Sequence, residues 1–395
     1  MFKKKRKNES KSHVVSIALM LFAAHAGGGF ATGNQANTYF VSLGWAGIIS
    51  AVISMALLCA ILHQAFVMYN KRNLKSYKDL FENLYHPFDK LELVFEAFFN
   101  IMVIMVVATT ISGAASALKE FMSINYYLAT ILITLSILFM AIYGADLVRK
   151  LGSIMGIIIL VTAISIYLVG SVKGEGILNV LIYDFQNQGF SNVPKAIFNG
   201  FIYAGFQCVQ IPAMVACSTV LKNKKESSKS MTLSFVINSL ALVLSITMLL
   251  SWKSYYNAID GGNVLPTLTA TKAMGYQWMS IFYVITLVLC LISSGVTIVF
   301  GFVSRFENIK ILSPIKSLKA KRFTVATFII LISMLISLLG LNNIIKYGYG
   351  YCGYIAIAFI IMPFLTIGKL KNEVNKDEEL NYKNILMEED NELSI

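Results

Sequence analysis

Stretches of roughly twenty or more mostly apolar residues recur along nearly the whole of this chain. A bilayer's hydrocarbon core is about 30 Å thick and a helix rises about 1.5 Å per residue, so each stretch is long enough to cross it. Of the 395 residues, 56% are hydrophobic and only 14% charged, against roughly 25% charged in soluble domains. A soluble fold has no interior large enough to hide that much apolar surface. The balance excludes nucleic-acid binding and soluble catalysis, and makes the lipid bilayer the chain's first partner.

Ten spans are expected, over residues 14–40, 44–69, 91–118, 124–144, 149–171, 195–220, 231–252, 277–304, 323–341 and 344–367. An even number puts both termini on one side. With that side cytoplasmic, the inner segments carry 23 of the 33 Lys and Arg, the outer segments six and the C-terminal tail four, which is the bias of basic loops retained in the cytoplasm. The net charge of +12 therefore reports orientation first. The expectation is an all-α, multi-pass protein of the cell membrane with both termini inside. Its units are a basic cytoplasmic N-terminus (1–13), a first five-helix repeat (14–171), an external loop (172–194), a second five-helix repeat (195–367) and a polar cytoplasmic tail (368–395).

Residues Lys3 to Lys7, Val14 to Ala24 and Ala24-His25-Ala26 also fit the layout of a cleavable signal peptide. Cleavage would leave nine spans and put the charge pattern out of register, so a retained first span is preferred. Cys59, Cys208, Cys217, Cys290 and Cys352 are scattered among the spans, with no spacing that reads as a metal clasp or disulfide framework.

Two spans are interrupted. The first contains Gly27-Gly28-Gly29, and each glycine weakens a helix by about 1 kcal/mol relative to alanine. A break there frees backbone amides and carbonyls, which at that depth are tolerated only against protein or a water-filled cavity. The sixth span carries Gly205 and Pro212 around Gln207 and Gln210; Pro212 has no amide hydrogen and its ring clashes with the Cys208 carbonyl. Close packing of small residues would also explain the glycines. Interruptions in the first and sixth of ten helices are what two inverted five-helix repeats require, with half-helix ends meeting at the midplane around a solute. A zwitterion matches the positive and negative ends of such half-helices.

The segment Gly27-Gly28-Gly29-Phe30-Ala31-Thr32-Gly33-Asn34-Gln35, followed by Phe40 and Gly44-Trp45-Ala46-Gly47, resembles the first helix of the YkvI-like membrane proteins, which are similar to the amino acid-polyamine-cation superfamily. The resemblance implies a LeuT-type fold of ten helices in 5+5 inverted repeats with discontinuous helices 1 and 6, working by alternating access. It implies substrate contacts at Gly27, Gly28, Gly29 and Phe30, and at Tyr203, Ala204, Gly205, Phe206 and Gln207. His25 stands just before the glycines, where many relatives carry a small or apolar residue.

In sodium-coupled members of that fold a cation lies between the break of helix 1 and helix 8, at the pattern small-x-x-Ser/Thr-Ser/Thr. Cys290-Leu291-Ile292-Ser293-Ser294 matches it. A Na+ site would then combine carbonyls of Ala23, Ala26 and Cys290 with the hydroxyls of Ser293 and Ser294, hard neutral oxygens suited to a hard cation. Tight helix packing is the plainer explanation of the serines. A proton could couple instead. Glu96 stands one to two turns inside the third span, on one face with Glu92 and Asn100, and His25 titrates near neutrality when unperturbed. Glu96 also suits a vestibule wall or an ion pair with a loop lysine such as Lys90.

The functional expectation is a secondary active transporter of a small organic solute, an amino acid or related amine, coupled to Na+ or H+. The alternative is a nutrient sensor that uses the same pocket without net transport. No nucleophile stands with an aligned base and no metal-ligand cluster lies inside the spans, so enzymatic activity and a resident cofactor are not expected.

Overall fold

The computed structural model describes residues 2–27, 30–142, 145–307 and 309–373. Gly28, Gly29 and the tail beyond Glu373 lie outside the described residues. The rest is helical, without a strand among the described residues. In chain order the helices are α1 (Phe2–Ala26), α2 (Asn34–Tyr39), α3 (Ala46–Lys71), α4 (Tyr77–Tyr85), α5 (Glu92–Met122), α6 (Tyr126–Ile142) and α7 (Ala145–Lys173). They continue as α8 (Ile177–Gln188), α9 (Val193–Gln207), α10 (Ile211–Cys217), α11 (Lys224–Ser251), α12 (Lys253–Ala258), α13 (Pro266–Ala273), α14 (Gln277–Phe306) and α15 (Leu318–Ser337). The last span runs through α16 (Leu341–Asn343), α17 (Gly350–Ala356) and α18 (Lys369–Glu373), with π-wound stretches at Ile344–Tyr349, Ile357–Ile361 and Phe364–Gly368.

Among the described residues seven helical segments are long and apolar enough to cross a membrane. A bent pair, α7 turning by 72° into α8, gives an eighth, and Lys11–Ala26 and Tyr126–Met140 are shorter apolar helices. This is a multi-pass membrane protein. Each of the ten stretches expected from the sequence overlaps one of these segments, of which seven, or eight with the bent pair, are long and apolar enough to cross. The external segment 172–194, expected as a loop, instead carries α8, and the segment 253–276 carries α12 and α13.

Several helix ends follow from local chemistry. Ser76 and Asp79 form a reciprocal capping box on α4, and the Asn223 side chain accepts from the Glu226 amide to start α11. Pro194, Pro212 and Pro266 stand in the first turns of α9, α10 and α13, where a missing amide hydrogen costs nothing.

The helices sort into two packed sets. In one, α3 packs on α9 and α11, and α1 on α11. In the other, α5, α6, α14 and α15 pack on one another. Each set takes two consecutive spans from the first half and the two corresponding spans from the second, the arrangement that paired repeats generate. α7 bridges them, touching α1, α11 and α14, and α17 packs on α9 and α5. Lipid tails are as apolar as leucine, so helices associate in a bilayer through close contact and hydrogen bonds rather than through hydrophobic burial. Gly205 and Gly353 serve that purpose: a Cβ on Gly205 would stand 2.7 Å from the Gly353 carbonyl oxygen, and one on Gly353 would stand 2.6 Å from that of Ile202.

Candidate functional site

Helical winding stops at Ala26 and resumes at Asn34. Gly27 stands in a turn, as do Phe30, Ala31 and Thr32, and glycine is a weak helix former. Gly33 holds the restart with φ +79°, a left-handed conformation that glycine adopts without steric cost. Its Cα is so close to α13 that a Cβ would sit 2.2 Å from Thr267 Oγ1.

The sixth span behaves differently. Tyr203, Ala204, Gly205, Phe206 and Gln207, expected as unwound backbone, are buried α-helix at the end of α9. The winding changes one residue later, at a 3-10 turn over Cys208–Gln210, and the span Val193–Val220 continues as a single crossing. Proline chemistry accounts for this. The amide that would reach the Cys208 carbonyl in an α-helix belongs to Pro212 and is absent; the Ile211 amide reaches that carbonyl instead. Pro212 thus tightens the helix rather than opening it. Gly205 acts as the packing glycine described above.

Helix 1 is stitched to its neighbours by a buried polar chain that runs from α11 to α1 to α9 to α2. His25, 1% exposed, has Nδ1 2.9 Å from Asn238 Oδ1 and Nε2 2.8 Å from the Tyr203 hydroxyl. The Asn238 amide nitrogen donates to the Ser234 carbonyl at 2.8 Å, which leaves Oδ1 as the acceptor and makes His25 Nδ1 the donor. With Nδ1 donating, the neutral ring accepts the one Tyr203 hydroxyl proton at Nε2, and the Tyr203 oxygen stands 3.2 Å from Gln35 Oε1. Phe30 stacks on the His25 ring, with centroids 5.0 Å apart. Phe40 and Phe206 flank Tyr203 at 4.7 and 4.8 Å, and Phe206 meets Tyr349 of the last span at 5.1 Å. Asn238 and Gln35 were not singled out from the sequence. A polar side chain in the middle of the seventh span was the available signal for Asn238.

On the other side of the break, α14 supplies the cation candidates. A Cβ on Gly27 would stand 2.2 Å from Ser294 Oγ, so the serine hydroxyl lies directly on the glycine. Cys290 touches the break through its thiol, which donates to the Ala26 carbonyl at 3.8 Å; that carbonyl also accepts from the Ala31 amide at 3.2 Å. Ser293 is half-buried, and its carbonyl accepts from Thr297. Ala23, also half-buried, lies one turn before Ala26. A cavity of about 20 Å³, room for roughly one water molecule, is lined by Phe30, Ala31, Thr162, Tyr167, Tyr283 and Cys290, among others.

Glu96 stands apart from this centre. Tyr77 donates to its Oε2 at 2.9 Å, and Arg305, at the C-terminal end of α14, approaches its Oε1 at 3.4 Å. Lys90 is not the partner found. Glu92 lies 3.8 Å from Lys78. Glu96 is thus a brace between α4, α5 and α14. At the other end of the molecule, Asn34 donates to the carbonyls of Asn263 and Val264 at 3.3 and 2.9 Å, and Tyr256 donates to Asn37 at 2.8 Å. The segment joining α12 and α13 therefore lies against α2, just past the break.

No family model matches the chain, and no curated protein matches it. Solved structures do. The fold is similar to a Na+-coupled sialic acid symporter in a substrate-bound outward-open state, with a TM-score of 0.61 and 16% identity over 87% of this chain and 78% of that one. It is similar to MhsT in complex with L-phenylalanine, with a TM-score of 0.62 and 13% identity over 92% of each chain. A manganese transporter of Eremococcus coleocola gives a TM-score of 0.50 and 16% identity over 89% of this chain and 78% of that one. The fold these likenesses define is of the LeuT type, all-α and multi-pass, with a break in the first helix at its centre.

Proposed function

We propose that this protein is a secondary active transporter of a small, net-neutral organic solute, a zwitterionic amino acid or related amine, driven by Na+ through alternating access. The observation that carries the reading is the break of helix 1 between Ala26 and Asn34, faced on one side by Ser294 and Cys290 of α14 and on the other by the Tyr203 chain. In this reading Ser293, Ser294 and the carbonyls of Ala23 and Ala26 hold Na+, and bound Na+ biases the break toward the solute-competent state. Coupling is differential binding of the ion to two states. The backbone amide of Phe30 takes the solute's carboxylate, and the rings of Phe30, Tyr203 and Phe206 shape its pocket.

Charge supports a net-neutral solute. Of the described buried acidic residues, Glu92 and Glu307 stand at the inner ends of α5 and α14, and a fixed ionic charge at the midplane would lack a counter-charge there. Among the described residues no three His, Cys, Asp or Glu lie together as a metal site, which favours an organic solute over a transition metal. The Arg305–Glu96 pairing favours Na+ over a proton carried by Glu96. The basic inner loops place both termini in the cytoplasm, and the first-helix motif groups the chain with the YkvI-like proteins.

Uptake into proteoliposomes tests this directly. With an inward Na+ gradient, at least one member of a panel of labelled neutral amino acids and amines accumulates above its external concentration, and replacing external Na+ by K+ abolishes accumulation. Saturable binding of a panel member without accumulation would instead identify a sensor.

A further inference from the structure

Away from the centre, α8 is a helix of 12 residues that leaves α7 at 72°. Membrane-crossing helices tilt on average by about 20° from the bilayer normal, so α8 runs closer to the membrane plane than to that normal. Its residues divide into three sides. Ile177, Val180 and Leu181 pack on the core, and Asp184 and Gln188 continue that side at helical spacing, both half-buried. Beside them Leu178, Ile182 and Phe185, at i, i+4 and i+7, are 71%, 54% and 45% exposed. The remaining side is exposed and polar, with Asn179, Gln186 and Asn187 around the hydroxyl-tipped Tyr183. The helix's only charged side chain, Asp184, is on the protein side, where a Cβ on Gly44 would stand 2.5 Å from its Oδ2.

Contiguous exposed apolar side chains mark a surface that meets a partner. Two free sides of opposite character suit a helix lying in a membrane interface, with hydrocarbon below it, water above and protein behind. The apolar side also continues a lipid-facing surface: Val161, Leu168 and Val172 are exposed along α7, and that face runs to the last turn before α8 begins. At the far end of α8 the exposed Phe190 ring meets those of Phe185 and Trp45 at 5.4 and 5.9 Å, and the Trp45 indole donates to the Gly189 carbonyl at 3.0 Å. Tryptophan and tyrosine, apolar bodies with a polar handle, gather at membrane interfaces. We propose that α8 lies in the membrane interface, with Leu178, Ile182 and Phe185 seated among lipid chains and Asn179, Gln186 and Asn187 in water. The lipid surface then holds the corner between α2 and α3 through Trp45. The polar side bears no charge, so the partner is the apolar boundary of the leaflet rather than an anionic headgroup. This placement holds whatever solute the protein carries.

The test places the photoreactive residue p-benzoylphenylalanine singly at Leu178, Ile182, Asn179 or Gln186 of the full chain in phosphatidylcholine vesicles, with Val161 of α7 as the reference for a lipid-facing position. All five positions are exposed, so the substituted chains keep their packing. After irradiation, mass spectrometry of the intact protein measures lipid adducts. The yields at Leu178 and Ile182 should approach that at Val161 and exceed those at Asn179 and Gln186 by about fivefold or more. Equal lipid adducts at all four α8 positions would put α8 inside the hydrocarbon, and none at any of them would put it in water. Adducts joining two protein chains at Leu178 and Ile182 would make the face a contact between copies. Each of these three results would overturn the assignment.

Discussion

Asn238→Leu tests the polar chain that fastens helix 1. Leucine has the branching and heavy-atom count of asparagine and is somewhat bulkier, so the substitution removes hydrogen bonds without opening a hole. The Ser234 carbonyl remains within α11's own ladder. His25 Nδ1, buried and 2.9 Å from Asn238 Oδ1 in the wild type, loses its acceptor. Stranding a buried donor costs about 1–3 kcal/mol in general, while measured interhelical hydrogen bonds in bilayers average only about 0.6 kcal/mol with a maximum near 1.7. The stranding term decides, because the enclosed His25 has no water to turn to, and the expected loss is about 1–2 kcal/mol. His25→Phe removes the donor and retains a ring against Phe30, stacked at 5.0 Å in the wild type. In that background Asn238→Leu should cost under about 0.5 kcal/mol, giving a coupling energy near 1 kcal/mol. Equilibrium unfolding of the four proteins in mixed micelles measures the cycle. Additivity within about 0.3 kcal/mol would refute the hydrogen-bonded link between α1 and α11.

Three further outcomes are expected. Gly27→Ala places a methyl group 2.2 Å from the wild-type position of Ser294 Oγ; the protein should still fold, and any stabilisation by Na+ should drop at least tenfold in apparent affinity, as read by melting against Na+ concentration. Glu96→Gln removes one partner of a partly exposed ion pair with Arg305; the stability cost should be below about 1 kcal/mol and the pH profile of uptake unchanged, whereas a profile that lost its pH dependence would return Glu96 to proton coupling. Gly353→Leu must displace the Ile202 backbone, 2.6 Å from its Cβ; it should reduce the folded yield in detergent, and a yield equal to wild type would refute tight packing of α9 on α17.

The spans and the first break were legible because both depend on local composition: apolar length in one case, three consecutive glycines in the other. The sixth span was legible only in part. Pro212 marked the place correctly, but whether a proline opens or tightens a helix depends on which neighbouring amide takes over the orphaned carbonyl, and here the Ile211 amide does. The partners of His25 were not readable, since Asn238 lies 213 residues away in sequence. Nor were the π-wound stretches of the last span, where the Tyr39 hydroxyl donates to the Ile345 carbonyl at 2.7 Å and that of Tyr85 to the Phe359 carbonyl. Such bulges are stabilised by side chains arriving from other helices. The partner of Glu96 was not legible either: a lysine on the adjacent loop is nearer in sequence, whereas Arg305 is brought to it by tertiary packing.

The most direct measurement is the melting temperature of the purified protein in Na+ against K+ at equal ionic strength, for the wild type and for Ser293→Ala with Ser294→Ala. A ligand that binds only the folded state at 100 times its dissociation constant stabilises by about 2.7 kcal/mol. A Na+-specific rise in the wild type that disappears in the double variant is the predicted result. An identical rise in both proteins, or none in the wild type, would contradict a sodium site between the helix 1 break and α14.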